Sequence, residues 1–104
     1  MRQLTLLACA LLLQFATPQD SAKHSYIPQN GFVPDSATAV RIAVAVWSPI
    51  YGADQIASER PFDAVLQNGV WTVTGSLPRG HVGGVALAEI AKVDARIIRV
   101  SHGK

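Results

Sequence analysis

Three histidines are the residues best suited to acid–base or metal chemistry in this chain of 104 residues. His24, His81 and His102 lie far apart, and no two have the three- or four-residue spacing by which one helix holds a metal. A site that joins His81 and His102 to Glu89 or Asp94 is conceivable across neighbouring strands. Solvated or hydrogen-bonded histidines are far more common than such sites, so the sequence predicts no metal centre.

Two serine–histidine pairs could suggest a hydrolase. Ser101 and His102 are adjacent, and adjacent residues of a strand point to opposite faces, so the imidazole cannot activate that hydroxyl. Ser76 and His81 flank a loop, but nothing in the sequence orients the histidine as a general base. We therefore predict no catalytic residue in either pair.

A glycine-rich loop at residues 78–84 carries the best candidates for partner binding. It lacks the Lys-Ser/Thr pair of a phosphate-binding loop and precedes a strand, so we interpret it as a wide turn and expect no cofactor. Arg79 and His81 stand in this loop, and Arg99 should point away from the apolar face of the last strand. Arginine is enriched at binding hot spots, so these three residues are the candidates, with plain solvated charge as the alternative.

The N-terminal segment resembles a secretory signal peptide. Met1-Arg2-Gln3 precedes an apolar run of about ten residues, whereas a membrane-spanning helix needs roughly 20. We predict a signal peptide at residues 1–16, cleavage after Ala16, and a periplasmic or secreted protein without stable membrane insertion. An alternative is lipid attachment at Cys9, since Leu6-Leu7-Ala8-Cys9 resembles a lipoprotein cleavage box.

Cleavage after Ala16 would leave no thiol and almost no net charge. Cys9 is the single cysteine, so the mature chain would have no disulfide. Loss of Arg2 would leave eight basic and seven acidic residues, and because these are scattered, no nucleic-acid partner is expected. Residues 17–30 are polar and predict a flexible leader, so the folded domain should span residues 31–104.

Hydrophobic periodicity predicts one helix followed by four strands. Residues 36–50 place apolar side chains three and four positions apart, and Asp35 can cap this helix; a strand is the alternative, because β-branched residues also alternate there. Asn68-Gly69 is a strong hairpin signal. The fold class is therefore α+β, one main N-terminal helix packed on a four-stranded antiparallel sheet (meander), with Trp47 and Trp71 in the core. The predicted strands are residues 61–67, 70–77, 85–91 and 96–102.

The order of short motifs along residues 32–104 is similar to that of a known family. The motifs are Val33-Pro34-Asp35, Ala39, Ile42-Ala43, Pro49-Ile50-Tyr51-Gly52, Pro61-Phe62, Gly69-Val70-Trp71, Val73, Gly75-Ser76-Leu77, Gly83-Gly84-Val85, Glu89-Ile90 and the stretch from Arg96 to Ser101-His102-Gly103-Lys104. Together they resemble the immunity proteins with a nuclear-transport-factor-2-like fold from bacterial polymorphic toxin systems.

The resemblance implies that the helix packs on a curved, cone-like sheet. It also implies a non-enzymatic protein that binds and neutralises a cognate toxin. The predicted signal peptide then places this binding outside the cytoplasm. Asp94-Ala95 departs from the Asp-Gly of the family, and because alanine resists positive φ, we expect a turn of another type there. Two other interpretations stay open: a small periplasmic ligand-binding protein, and an envelope protein of the same fold without a toxin partner.

Overall fold

The computed structural model describes residues 24–104. The predicted signal peptide at residues 1–16, Cys9 and residues 17–23 of the predicted leader lie outside the described residues. Within the described residues two helices precede four strands; the long helix and the strands follow the predicted order, which does not include the short second helix. They are α1 (Ser36–Tyr51), α2 (Ala53–Ala57), β1 (Asp63–Gln67), β2 (Val70–Thr74), β3 (Ala86–Ala91) and β4 (Ile97–His102).

Helix α1 begins and ends at the residues that the sequence favours. The Asp35 carboxylate accepts a hydrogen bond of 2.8 Å from the Thr38 N–H and so satisfies one of the free donors of the first turn. Gly52 ends the helix with φ of 100°. Pro49 lies within the last turn of α1 without ending it. The helical prediction is confirmed, and the alternative of a strand is wrong.

The four strands form one open antiparallel sheet in the order β1-β2-β3-β4. Asn68 and Gly69 connect β1 to β2 with φ of 53° and 77°, the left-handed values that a two-residue hairpin of this kind requires. Strand β2 pairs with β3, and β3 pairs with β4 through a bulge near Ile90. The predicted α+β meander is therefore confirmed, although each strand is shorter than predicted.

The core lies between α1 and one face of the sheet, here called the helix face. Ala39, Ala43 and Trp47 of the helix are fully buried. The two alanines leave room for the helix to approach the sheet closely, and the indole fills the space beyond them. From the sheet, the buried side chains are Trp71, Val73, Ala86, Ala88 and Ile90.

Both tryptophans are in the core, as predicted, and each has a hydrogen-bond acceptor for its indole N–H. Trp47 donates to the Leu87 carbonyl at 3.1 Å, and Trp71 donates to the Val33 carbonyl at 2.8 Å. The second bond holds the segment before α1 against the sheet. Buried tryptophans normally find such an acceptor, and here neither indole N–H is left without a hydrogen bond.

Two local predictions are wrong. The second strand was expected to extend to Leu77, but β2 ends at Thr74 and Leu77 is 41% exposed. Ala95 was expected to avoid positive φ, yet it has φ of 65°. The Asp94 carboxylate accepts a hydrogen bond of 3.0 Å from the Arg96 N–H across this position, and Ala95 itself packs against the core. These contacts offset the strain of an alanine in the left-handed region.

No helix within residues 24–104 has the length and apolar character that crossing a membrane requires.

Candidate functional site

The predicted partner-binding loop connects β2 to β3 and is exposed. Its tip is a turn in which the His81 N–H donates to the Pro78 carbonyl at 3.1 Å. The Arg79 side chain has no hydrogen-bond or ion-pair partner among residues 24–104, and Val82 is 95% exposed. An unpaired arginine beside a histidine and an exposed valine provides both polar and apolar contact groups for a partner.

The base of this loop is held firmly. The Ser76 N–H donates to the Glu59 carbonyl at 2.7 Å, and the Ser76 hydroxyl donates to the Pro61 carbonyl at 2.5 Å. On the other side of the loop, the Gly103 N–H donates to the Val85 carbonyl at 3.2 Å. The loop tip is thus presented by a rigid scaffold, which is the usual arrangement for binding residues.

Arg99 lies on the other face of the sheet from α1, here called the outer face. Its guanidinium forms an ion pair of 3.3 Å with Glu89, which is its partner in the register of β3 and β4. Thr72 and Val65 continue this row across β2 and β1. Arg99 therefore points away from the core, as predicted, but its charge is already paired, and the structure shows no contact between it and Arg79 or His81.

Sequence reasoning missed the most highly connected polar group, the Glu59 carboxylate. Glu59 follows α2 and is only 2% exposed. Oε1 accepts a hydrogen bond of 2.7 Å from the Ala86 N–H. Oε2 accepts from Gln55 Nε2 at 3.0 Å and contacts His102 Nε2 at 2.7 Å. The carboxylate therefore ties α2, the start of β3 and the end of β4 together.

Three neighbours make room for this cluster and hold it. Gly75 lies against Glu59 so closely that a Cβ at this position would overlap the carboxylate. The Tyr51 ring packs on the His102 ring at a centroid distance of 5.0 Å. Gln55 and Glu59 are four residues apart, which places them on the same side of the turn. The one available signal in the sequence was this Gln–Glu spacing, which says nothing about a histidine 43 residues further on.

The pKa shifts of Glu59 and His102 favour an ionised pair. Burial alone would raise the pKa of the Glu59 carboxyl, but the hydrogen bonds from the Ala86 N–H, Gln55 and His102 together lower this pKa below its ordinary value. The pKa of His102 is raised, first by its hydrogen bond to Glu59 and then by the Gly103 carbonyl 2.7 Å from Nδ1. Both ring nitrogens thus face acceptors, which suits a protonated imidazole.

This cluster is suited to structure more than to chemistry. Both nitrogens of His102 are engaged, so neither is free to act as a general base. Ser101 is paired with Leu87 on the outer face, whereas His102 is paired with Ala86 on the helix face, as expected for adjacent strand residues. The Ser76 hydroxyl donates to the Pro61 carbonyl and has no contact with His81. The described residues therefore contain no activated nucleophile of the two kinds considered.

The ligand set considered for a metal is not brought together. Glu89 contacts Arg99, Asp94 contacts Arg96, and His102 contacts Glu59. Within residues 24–104, no group of three or more histidine, cysteine, aspartate or glutamate side chains is arranged to hold a metal ion.

Comparisons with known proteins agree with the fold. A family model described as "NTF2 fold immunity protein" matches residues 38–104. A protein of Escherichia coli (strain K12), "Uncharacterized protein YhhH", is 33% identical over 76 residues, which are 72% of this chain and 60% of that protein. The chain thus spans less than two thirds of the length of this curated relative. No solved structure matches the chain.

Proposed function

Because the chain belongs to the family of immunity proteins with the NTF2 fold, we propose that it binds a cognate bacterial toxin and neutralises it outside the cytoplasm. The family match carries this proposal, since it covers residues 38–104, from the first turn of α1 through the four strands. Neutralisation by binding requires no catalytic residue of the immunity protein. The location rests on the apolar segment at the N-terminus and its short length.

The surface that we propose for toxin binding is the tip of the loop between β2 and β3, formed by Arg79, His81 and Val82. Arg79 has no partner to give up within the described residues, so pairing with a toxin carboxylate breaks no ion pair of the free protein. The firmly held base limits the entropy that the loop loses on binding. Arg99, the third predicted residue, would have to exchange Glu89 for the toxin and therefore contributes less.

The first test is capture of the partner from the native bacterium. The full chain is produced with an affinity tag at its C-terminus, and periplasmic proteins bound to it are identified by mass spectrometry. A stoichiometric partner that carries a toxin domain, and whose toxicity the chain suppresses, supports the proposal. If no partner binds although circular dichroism shows a folded protein, the toxin-binding role is wrong.

The second test maps the binding surface with matched arginine variants. We expect Arg79→Ala to weaken toxin binding by roughly tenfold to a hundredfold, because removal of a hot-spot arginine typically costs more than about 1 kcal/mol. Arg96→Ala is the control, since Arg96 is also exposed but lies at the β3–β4 turn, at the opposite end of the sheet. Equal affinity of the two variants would place the toxin elsewhere.

A ligand-binding role is the second candidate, and one observation supports it. An open groove of about 450 Å³ lies where the hairpin turns meet the segment before α1, with Val70, Ala91 and Ile98 forming its apolar part. Lys92 and Arg96 stand at this groove, and no acidic residue lines it. Thermal shift in the presence of small carboxylic acids would reveal such a ligand; an unchanged melting temperature with all of them would exclude this class.

A further inference from the structure

Strand β1 is an edge strand whose outer side is free within the described part of the chain. It pairs with β2 on one side, and no other strand of residues 24–104 lies along its other side. Its pairing with β2 is regular over all five residues, from Asp63 opposite Thr74 to Gln67 opposite Val70. A regular edge of this kind presents a row of backbone N–H and C=O groups to which a further strand can bind.

The two edges of the sheet differ in how they are protected. Strand β4, the other edge, has a bulge near its start and carries Arg99, with Arg96 just before it. Bulges and basic side chains are the usual means by which proteins prevent strands from adding to an edge. Strand β1 itself has no bulge, no basic residue and no proline, although Arg60 and Pro61 lie just before its start, and Asp63 is its one charged residue. The edge of β1 is therefore the one that is open to pairing.

Two apolar side chains of β1 are exposed, one on each face of the sheet. Val65 is 53% exposed and lies on the outer face, in register with Thr72. Leu66 is 42% exposed and lies on the helix face, in register with the buried Trp71. A free edge with an exposed apolar side chain on each face offers contacts on both faces to an added strand.

The same edge also contains a groove that an apolar side chain would fill. It has a volume of about 380 Å³ and lies between the first turns of α1 and the start of β1. Ala64 forms part of its wall, on the helix face in register with the buried Val73. The groove is lined by Ser36, Ala37, Val40, Arg41, Phe62, Asp63 and Ala64.

We propose that a second copy of this chain binds here, with the two β1 strands antiparallel about a two-fold axis at Val65. Val65 is the central residue of β1, so this is the one antiparallel register that pairs all five residues. It places Leu66 of the partner subunit opposite Ala64, on the helix face and at the groove. By symmetry both leucines insert at once, and the two sheets become one sheet of eight strands.

The charges agree with this register. Asp63 lies opposite Gln67 of the partner subunit, so its carboxylate meets an amide that can donate a hydrogen bond. A register centred on Asp63 would instead place the two carboxylates opposite each other, which is unfavourable. Two paired strands of five residues form a small interface, so the dimer should exchange reversibly with monomer.

The test is sedimentation equilibrium on the protein that the full 104-residue chain yields after processing in its host. The wild type is expected to be a reversible dimer. Val65→Lys places two like charges opposite each other at the axis and should weaken dimerisation by roughly tenfold or more. Val82→Lys is the matched control, because it makes the same change at a 95% exposed loop residue and should leave the dimer intact. Leu66→Ala removes the inserted side chain without a charge and should also weaken the dimer.

Disulfide formation tests the proposed register of the two β1 strands directly. In a chain whose Cys9 is replaced by alanine, Val65→Cys should form a disulfide between two copies on mild oxidation, because the two Cβ atoms lie opposite each other at the axis. Val82→Cys under the same conditions should not. A wild type that is monomeric up to roughly 500 µM, or a dimer that Val65→Lys and Leu66→Ala leave unchanged, would overturn the proposal.

Discussion

Replacing Glu59 with glutamine should destabilise the fold, although the two side chains have nearly the same shape. The carboxylate accepts hydrogen bonds at Oε1 from the Ala86 N–H and at Oε2 from Gln55 and His102. In Glu59→Gln, one oxygen remains as an acceptor, while the new NH₂ group faces donors. Either the bond from the Ala86 N–H or those from Gln55 and His102 are lost, depending on how the amide is turned, and in both orientations His102 loses its negatively charged partner.

The expected loss in the free energy of unfolding is about 2–4 kcal/mol. A hydrogen bond to a charged group contributes roughly 1.5–3 kcal/mol, and an unpaired buried donor costs about 1 kcal/mol or more. A domain of this size is stable by an amount on the order of 5–10 kcal/mol, so the variant should remain folded but melt well below the wild type.

The pH dependence gives a sharper assay of the same pair. The pKa of His102 is raised in the folded state, so its stabilising effect is present at pH values below its unfolded pKa and is lost as the pH rises through its folded pKa. The pKa of Glu59 is lowered, so its effect is lost as the pH falls through its folded pKa. Stability should therefore be greatest between these two values, as measured by urea unfolding followed through tryptophan fluorescence.

Two histidine variants distinguish the contribution of the Glu59–His102 pair to the pH dependence from that of the other titrating groups. His102→Gln should abolish the loss of stability that occurs as the pH rises through the folded pKa of His102, whereas His81→Gln, which removes an exposed histidine of the loop, serves as the control for loss of a histidine outside the pair. A coupling energy between Glu59→Gln and His102→Gln below about 0.5 kcal/mol in a double-mutant cycle would refute the reasoning. So would parallel pH profiles of the wild type and His102→Gln.

Three further variants test the fold by thermal unfolding. Trp71→Ala removes the largest side chain of the sheet and its bond to the Val33 carbonyl, and should cost about 3–5 kcal/mol; melting within a few degrees of the wild type would contradict its place in the core. Gly75→Ala should cost about 1–3 kcal/mol, because the added Cβ overlaps Glu59, and melting at the wild-type temperature would contradict this contact. Asp35→Ala should lower the melting temperature by removing the cap of α1, and equal melting of Asp35→Ala and the control Ser36→Ala would refute the capping role.

The elements that the sequence predicts well are those whose signals are local. The cap at Asp35, the spacing of apolar residues in α1 and the Asn68-Gly69 hairpin each depend on contacts within a few residues. Both tryptophans were placed correctly because each falls on the apolar face of a clear hydrophobic repeat. Trp47 belongs to the helical repeat and Trp71 to the alternation of the strand. Such signals need no knowledge of the tertiary structure.

The end of β2 and the Glu59 cluster could not be predicted because they depend on distant contacts. Ser76 leaves the strand because its N–H and hydroxyl bond to the segment before β1, 15 or more residues away. Glu59 lies in a polar stretch that is typical of an exposed connector, and its burial becomes evident only when β3 and His102 are placed beside it. Arg99 was correctly placed on the outer face, but its pairing with Glu89 follows from the register of β4.

The most direct test of the immunity role is a survival assay with the toxin identified by capture. A host that exports this toxin to its periplasm is given either the full chain or a chain that lacks residues 2–16. If the chain neutralises the toxin outside the cytoplasm, the full chain restores growth and the truncated chain does not. If the toxin kills the cells although the full chain accumulates in folded form in the periplasm, the proposed function is wrong.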